Sequence, residues 1–142
     1  MRRSALALIL ASLLLTVGAV GVTSATAAQP FARVPLRPIG GSGVMGQVAL
    51  VQLPTSGTDI TVVAQGLMPG ERYISLYYDN HTCQLEPYSA DDVIGGQYMG
   101  LPGGVGVVHG QVDDDLDEIN SVSVRRASDF KLLACADVHP GG

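Results

Sequence analysis

The 142-residue chain has no tryptophan, two phenylalanines, two cysteines and three histidines. Without indole and with little phenyl surface, a core must rest on Val, Ile, Leu, Ala and Tyr. Basic residues are scarce, with eight Lys and Arg against thirteen Asp and Glu. Two of the eight, Arg2 and Arg3, open the chain; without them six remain, and the net charge is −7. So acidic a domain is a poor partner for nucleic acid or anionic lipid, whose phosphate field repels it. No nucleophile elbow, phosphate loop or Cys–His pair at catalytic spacing is present. No sustained helical period, repeat or low-complexity tract appears either.

The beginning of the chain has the pattern of an export signal. Arg2 and Arg3 form a positive region, residues 5–20 are almost wholly apolar, and Ala25-Thr26-Ala27 supplies the small-x-small pattern read by signal peptidases. Residues 1–28 therefore read as a signal peptide cleaved after Ala27 or Ala28. The alternative is an uncleaved membrane anchor. The Gly, Ser and Thr content of residues 18–26 argues against it, so no stable anchor is expected once the signal is removed. No cysteine follows the apolar run to carry lipid, and Arg2-Arg3 alone is a weak twin-arginine signal. The expected destination is secreted or periplasmic, in the cell envelope. The remaining length suits one domain. In an exported chain the pair Cys83 and Cys135 points to one disulfide, the alternative being a thiolate metal site. Neither cysteine has a His or Cys at ligand spacing beside it.

Residues 29–43 carry Pro30, Pro35, Pro38 and the run Gly40-Gly41-Ser42-Gly43. Proline removes ladder donors, so this segment reads as an extended lead-in, with the globular part beginning near Val44. Short apolar runs then alternate with turn residues. Strands are expected over 44–53, 58–65, 73–78, 93–101, 105–112, 119–126 and 130–138, with one long polar connection over 83–92. Seven or eight strands at this spacing predict an all-β fold, an antiparallel Greek-key sandwich or barrel over residues 44–138, with a tail at 139–142.

Three groups of residues carry a likeness. The first is the pair of strands over 46–53 and 58–65 followed by the turn Gly66-Leu67-Met68-Pro69-Gly70. The second is Val107-Val108-His109 followed by Asp113-Asp114-Asp115-Leu116. The third is Leu133-Ala134-Cys135. In this order they resemble the copper–zinc superoxide dismutase family, whose single disulfide joins a loop cysteine to the final strand; that likeness implies the pairing Cys83–Cys135. The chain looks closer still to metal-free superoxide-dismutase-like or chordin-repeat-like sandwiches of exported bacterial proteins. The departures matter more than the match. The positions where the enzymes hold two copper-binding histidines fall on Ile74 and Leu76. Residues 83–104 contain no histidine to bridge two metals, and the place of the family's guiding arginine is taken by Leu132.

A redox copper site needs several converging imidazoles. Of His81, His109 and His139, only His109 matches a family ligand position, and a residual copper or zinc site would have to join His109 with His81. His139 is expected to lie in a mobile tail. Tyr73, Tyr77 and Tyr78 could serve as ligands, as a binding surface or as cross-strand packing. Ile74, Leu76 and Tyr78 are core if the 83–92 connection covers them, and otherwise the candidate binding surface. The acidic run at residues 113–118 could hold Ca²⁺ but lacks EF-hand spacing and reads as a solvated loop. Asn80-His81-Thr82 matches a glycosylation sequon behind a bacterial-looking signal. The leading expectation is an exported, non-catalytic sandwich with no cofactor, acting as a binding or interaction module for an unknown protein or small ligand. The alternatives are a vestigial copper- or zinc-binding protein and an envelope structural protein assembling through sheet edges.

Overall fold

The computed structural model describes residue 21 and residues 28–141. The signal peptide expected over residues 1–28 thus lies, apart from residues 21 and 28, outside the described residues. The strands are β1 (Phe31–Pro38), β2 (Met45–Gln52), β3 (Thr58–Gln65), β4 (Arg72–Ile74), β5 (Tyr77–Tyr78), β6 (Tyr98–Met99), β7 (Gly106–Val112), β8 (Ser121–Arg126) and β9 (Leu132–Asp137), with one 3₁₀ turn at Ala90–Asp92. They join in the order β6-β4-β8-β9-β1-β2-β3-β7, with β5 beside β8, and every pairing is antiparallel. The result is an all-β, nearly closed sandwich, as the strand spacing predicts.

The first difference from the sequence reading is β1. The globular part begins there, well before Val44, and the proline-rich segment is a central strand with Val34 and Leu36 buried. Phe31–Leu36 pairs with β2, whereas only Arg37 and Pro38 pair with β9. No residue of β1 pairs on both edges, so Pro35 and Pro38 sit in a strand that needs ladder donors on one side at a time. β1 is therefore the corner at which the chain passes from the sheet β1-β2-β3-β7 to the sheet β1-β9-β8-β4-β6.

Alternation fills the space between the sheets. β3 buries Thr58, Ile60, Val62 and Ala64, and its other residues are half-buried or exposed. Val48 and Leu50 of β2, Val108 and Val112 of β7, and Val122 and Val124 of β8 complete this layer, with Tyr73 and Tyr77 as its aromatic members. The core rests on aliphatic and tyrosine side chains, as the missing tryptophan requires.

The second difference lies in residues 93–101. The expected strand is reduced to Tyr98–Met99 and a single bridge between Val93 and Leu76. Here the backbone is pressed against β7 and leaves no room for side chains. A Cβ on Gly110 would lie 2.5 Å from the Gly95 nitrogen, and one on Gly95 would lie 2.1 Å from the His109 carbonyl oxygen. Gly95 also has φ +63°, a left-handed conformation that glycine adopts without steric cost. Two glycines thus let this segment pack directly against the backbone of β7.

Gly95→Ala is therefore expected to lower stability by at least about 2 kcal/mol, because it adds a backbone clash to an unfavourable φ. Gly96→Ala, at φ +85° with open space around it, is expected to cost only about 1 kcal/mol. Urea unfolding midpoints of the two variants check the contrast.

Candidate functional site

The turn at residues 66–70 places Gly66 and Gly70 at φ +80° and +82°, and the Met68 N–H donates to the Tyr73 hydroxyl at 2.8 Å. From this anchored start the chain alternates across the sheet. Tyr73 and Tyr77 enter the inner core. Ile74, Leu76 and Tyr78 point to the other face, where they form a second cluster with Cys83, packed by Val93, Phe130, Leu132 and Cys135. All three are buried, Leu76 and Tyr78 to within 1%. Ile74, Leu76 and Tyr78 are thus core and not an open binding surface: the connection over residues 79–97 lies on them.

Three successive outward residues of β8 hold that connection down. Ser121 Oγ–H donates to the Asn80 carbonyl and accepts the Cys83 N–H at 3.2 Å. The Ser123 hydroxyl bonds the Tyr78 hydroxyl at 2.8 Å. Arg125 donates through Nε to the Tyr78 hydroxyl at 2.9 Å, through Nη2 to the Cys83 carbonyl at 2.7 Å and through Nη1 to the Phe130 carbonyl at 2.7 Å. Arg125 is 7% exposed and has no carboxylate partner among the described residues. Among the described residues Cys83 and Phe130 are the two non-glycine residues with positive φ, at 55° and 59°. Such conformations cost about 1 kcal/mol or more each, and Arg125 offsets that cost by binding both of their carbonyls. The disulfide Cys83–Cys135, S–S 2.03 Å, fixes the same point to β9. Closing a loop with a sequence separation of 52 contributes about 4 kcal/mol in the chain-entropy account.

Sequence reasoning missed this lock. Its signal is present in β8, where Ser121, Ser123 and Arg125 alternate with Val122 and Val124. Such alternation ordinarily marks one solvated face. Here the polar side is buried under the connection, and Arg125 goes unnoticed because a charged strand residue usually faces water.

The histidines lie apart. His109 Nε2–H donates to Asp59 on β3 at 2.8 Å, while His81 Nδ1–H donates to Asp137 on β9 at 2.8 Å. β1 and β2 stand between those two strands in the sheet order, so the residual site joining His109 with His81 is not assembled. Among the described residues no group of three or more His, Cys, Asp and Glu is placed to hold a metal ion. His139 is not loose in the tail: its Nε2 lies 3.0 Å from the Leu116 carbonyl.

The acidic run is a clasp on the β2–β3 hairpin. Asp115 accepts the Gly57 N–H and the Gln52 amide, each at 2.7 Å, and the Leu116 N–H donates back to Gln52 Oε1 at 2.7 Å. The Gly57 N–H, then the Gln52 amide, hold the Asp115 carboxyl below the usual carboxylate range. Its neighbour Asp114 is pushed the other way, by burial first and then by Glu118, Asp79 and Asp92. Burial, followed by the carboxylates of Asp114 and Asp92, drives the Tyr77 hydroxyl well above the phenol range.

Among the grooves left open, one of about 490 Å³ lies where the end of β1 meets β9 and the start of the covering connection. Its polar residues are Arg37, His81, Thr82 and Asp137, and its walls include Val34, Pro35 and Ile39. Arg37 pairs with Cys135 across the β1–β9 ladder, and Asp137 lies two residues farther along on the same face. The disulfide therefore stands at the base of the groove.

Comparison of the sequence with protein-family models finds no match, and comparison with curated proteins finds none.

Two outcomes follow from this geometry. Arg125→Met is expected to cost about 3 kcal/mol, because it leaves two carbonyls of the covering connection without their donor. Denaturant unfolding of the oxidised protein measures this. Asp115 stabilises the fold above its ordinary pKa near 4, and the effect is lost as pH falls through its lowered native value. Wild type is therefore expected to exceed Asp115→Asn in urea midpoint at pH 6–7, the two converging as pH falls below the ordinary carboxylate range.

Proposed function

We propose that this chain is an exported, non-catalytic binding or interaction module. On this reading it has a superoxide-dismutase-like sandwich whose metal-bearing strand has become packing surface. The observation that carries the reading is the burial of Ile74 and Leu76 beneath the disulfide-linked connection. They occupy the places where the resemblance puts two copper-binding histidines. An imidazole pair there needs an opening for metal and substrate; these positions have neither the ligands nor the opening. His109, the residue matching a ligand position, is more than half exposed and committed to Asp59. The disulfide fits an oxidising compartment outside the cytoplasm.

The test is expression of the full chain in a bacterial host, followed by intact mass and metal analysis of the exported protein. Loss of about the first 28 residues is expected, with copper and zinc substoichiometric and no superoxide dismutation after copper loading. Stoichiometric copper held through His109, or dismutation above that of free copper, would overturn the reading.

A further inference from the structure

We propose that the groove between β1 and β9 binds a small organic carboxylate with an apolar body, Arg37 taking the carboxylate. This rests on the reading of the chain as a binding module and names the site and the class of ligand. Four observations point to it. The groove's volume, about 490 Å³, lies in the range of small-molecule sites. Val34, Pro35 and Ile39 give it apolar walls. Arg37 makes no ion pair among the described residues, as Arg33, Arg72 and Lys131 also do not, but of these it is the one that lines the groove. Asp137, the acidic residue nearest in the groove, is engaged by His81 at 2.8 Å. Arg37 is thus the one lining cation left to face a ligand.

The arrangement selects an anion of one charge. A guanidinium presents parallel N–H donors that match a carboxylate. A phosphate dianion would meet a single fixed cation within a field of negative charge, a poorer match. An ammonium ligand would face Arg37 directly, with Asp137 already bonded. His81 adds a second polar contact. With Nδ1–H held by Asp137, its Nε2 is left without a partner among the described residues and can take a hydrogen bond from a hydroxyl or amide on the ligand. The base of the groove is also set in advance. His81 lies two residues before Cys83, and Arg37 is opposite Cys135, so one covalent bond relates both sides. Such preorganisation reduces the ordering cost of binding.

The probe is octanoate, titrated into the oxidised full-length domain and followed through backbone amide resonances. Saturable shifts at Arg37, Ile39, His81 and Asp137 are expected. Acetate, which lacks the apolar body, octylammonium, which reverses the charge, and octyl phosphate are expected to bind at least about tenfold more weakly. Arg37→Gln is expected to weaken octanoate by at least about tenfold, and Arg37→Lys, which keeps charge but loses the fork, by an intermediate factor. Ile39→Ser tests the apolar wall independently of Arg37 and is expected to weaken octanoate without affecting acetate. The proposal is overturned if octanoate shifts no groove resonance, if Arg37→Gln binds it as tightly as wild type while keeping the wild-type spectrum elsewhere, or if octyl phosphate or octylammonium binds better. Those failures leave the metal-free binding-module reading standing, because copper loading and dismutation decide that separately.

Discussion

A buried guanidinium with no counter-ion among the described residues organises the second layer of this protein. Arg125 is taken out of water and compensated by carbonyl dipoles and a tyrosine hydroxyl. An isolated buried charge is among the most expensive features a small domain can carry, unless its donors are filled. Three directional bonds to three separate segments supply that compensation. They also set a geometric condition: Cys83, Phe130 and Tyr78 must all present their oxygens at once. Two of these residues adopt left-handed backbone conformations in meeting it. The covering connection is therefore held by a polar lock as well as by its apolar contacts.

That lock explains why the outer face of the β8–β9 sheet is closed. Sandwich sheets commonly leave one face to water, and the Ser-Val-Ser-Val-Arg alternation of β8 looks written for that arrangement. Here the outer face carries its own small core of Ile74, Leu76, Tyr78 and Cys83. Hydrogen bonds alone would hold a polar connection weakly, because each replaces one to water. Apolar contact alone would leave its register undetermined. The disulfide adds a third constraint by restricting the unfolded chain and fixing Cys83 to β9. The three act on the same few residues, so their effects should not be additive.

Much of this was legible in the sequence, and the reasons for the failures are specific. Alternating Val and Ile, together with Pro–Gly turns, located β2, β3, β7, β8 and β9 to within a few residues. The cysteine pair was legible because two cysteines leave one intramolecular pairing. β1 was not: proline content argues against a central strand, and only the partner switch at Leu36–Arg37 removes that objection. Residues 93–101 were read as a strand because their apolar content is real. What prevents pairing is a backbone contact between Gly95 and Gly110, which no local pattern reveals. Of the candidate site residues, the alternation of Ile74 and Leu76 was correctly placed on one face, but what covers that face depends on a connection whose position is set by tertiary contacts. Arg37 drew no notice at all, since its place beside Cys135 in a groove depends on β1 changing partners.

The same bond that closes one face defines the opening beside it. Cys83 is tied down over the outer cluster, and the chain entering it must descend past the edge of β9, carrying His81 to Asp137. On the opposite side β1 leaves β2 and joins β9 at the level of Cys135, which brings Arg37 to the same place. The groove is the space left where a strand changing sheets meets a loop pinned by a disulfide. Its apolar walls follow from this geometry, because Val34 belongs to the inner core and is uncovered on one side at the corner. A cavity made in this way owes its position to topology, and the choice of residues along its rim remains free to vary. An unpaired arginine at such a rim costs the fold little, because it remains solvated. A fold that fills its outer face with Ile74 and Leu76 thus keeps, at its corner, an open groove lined by Arg37.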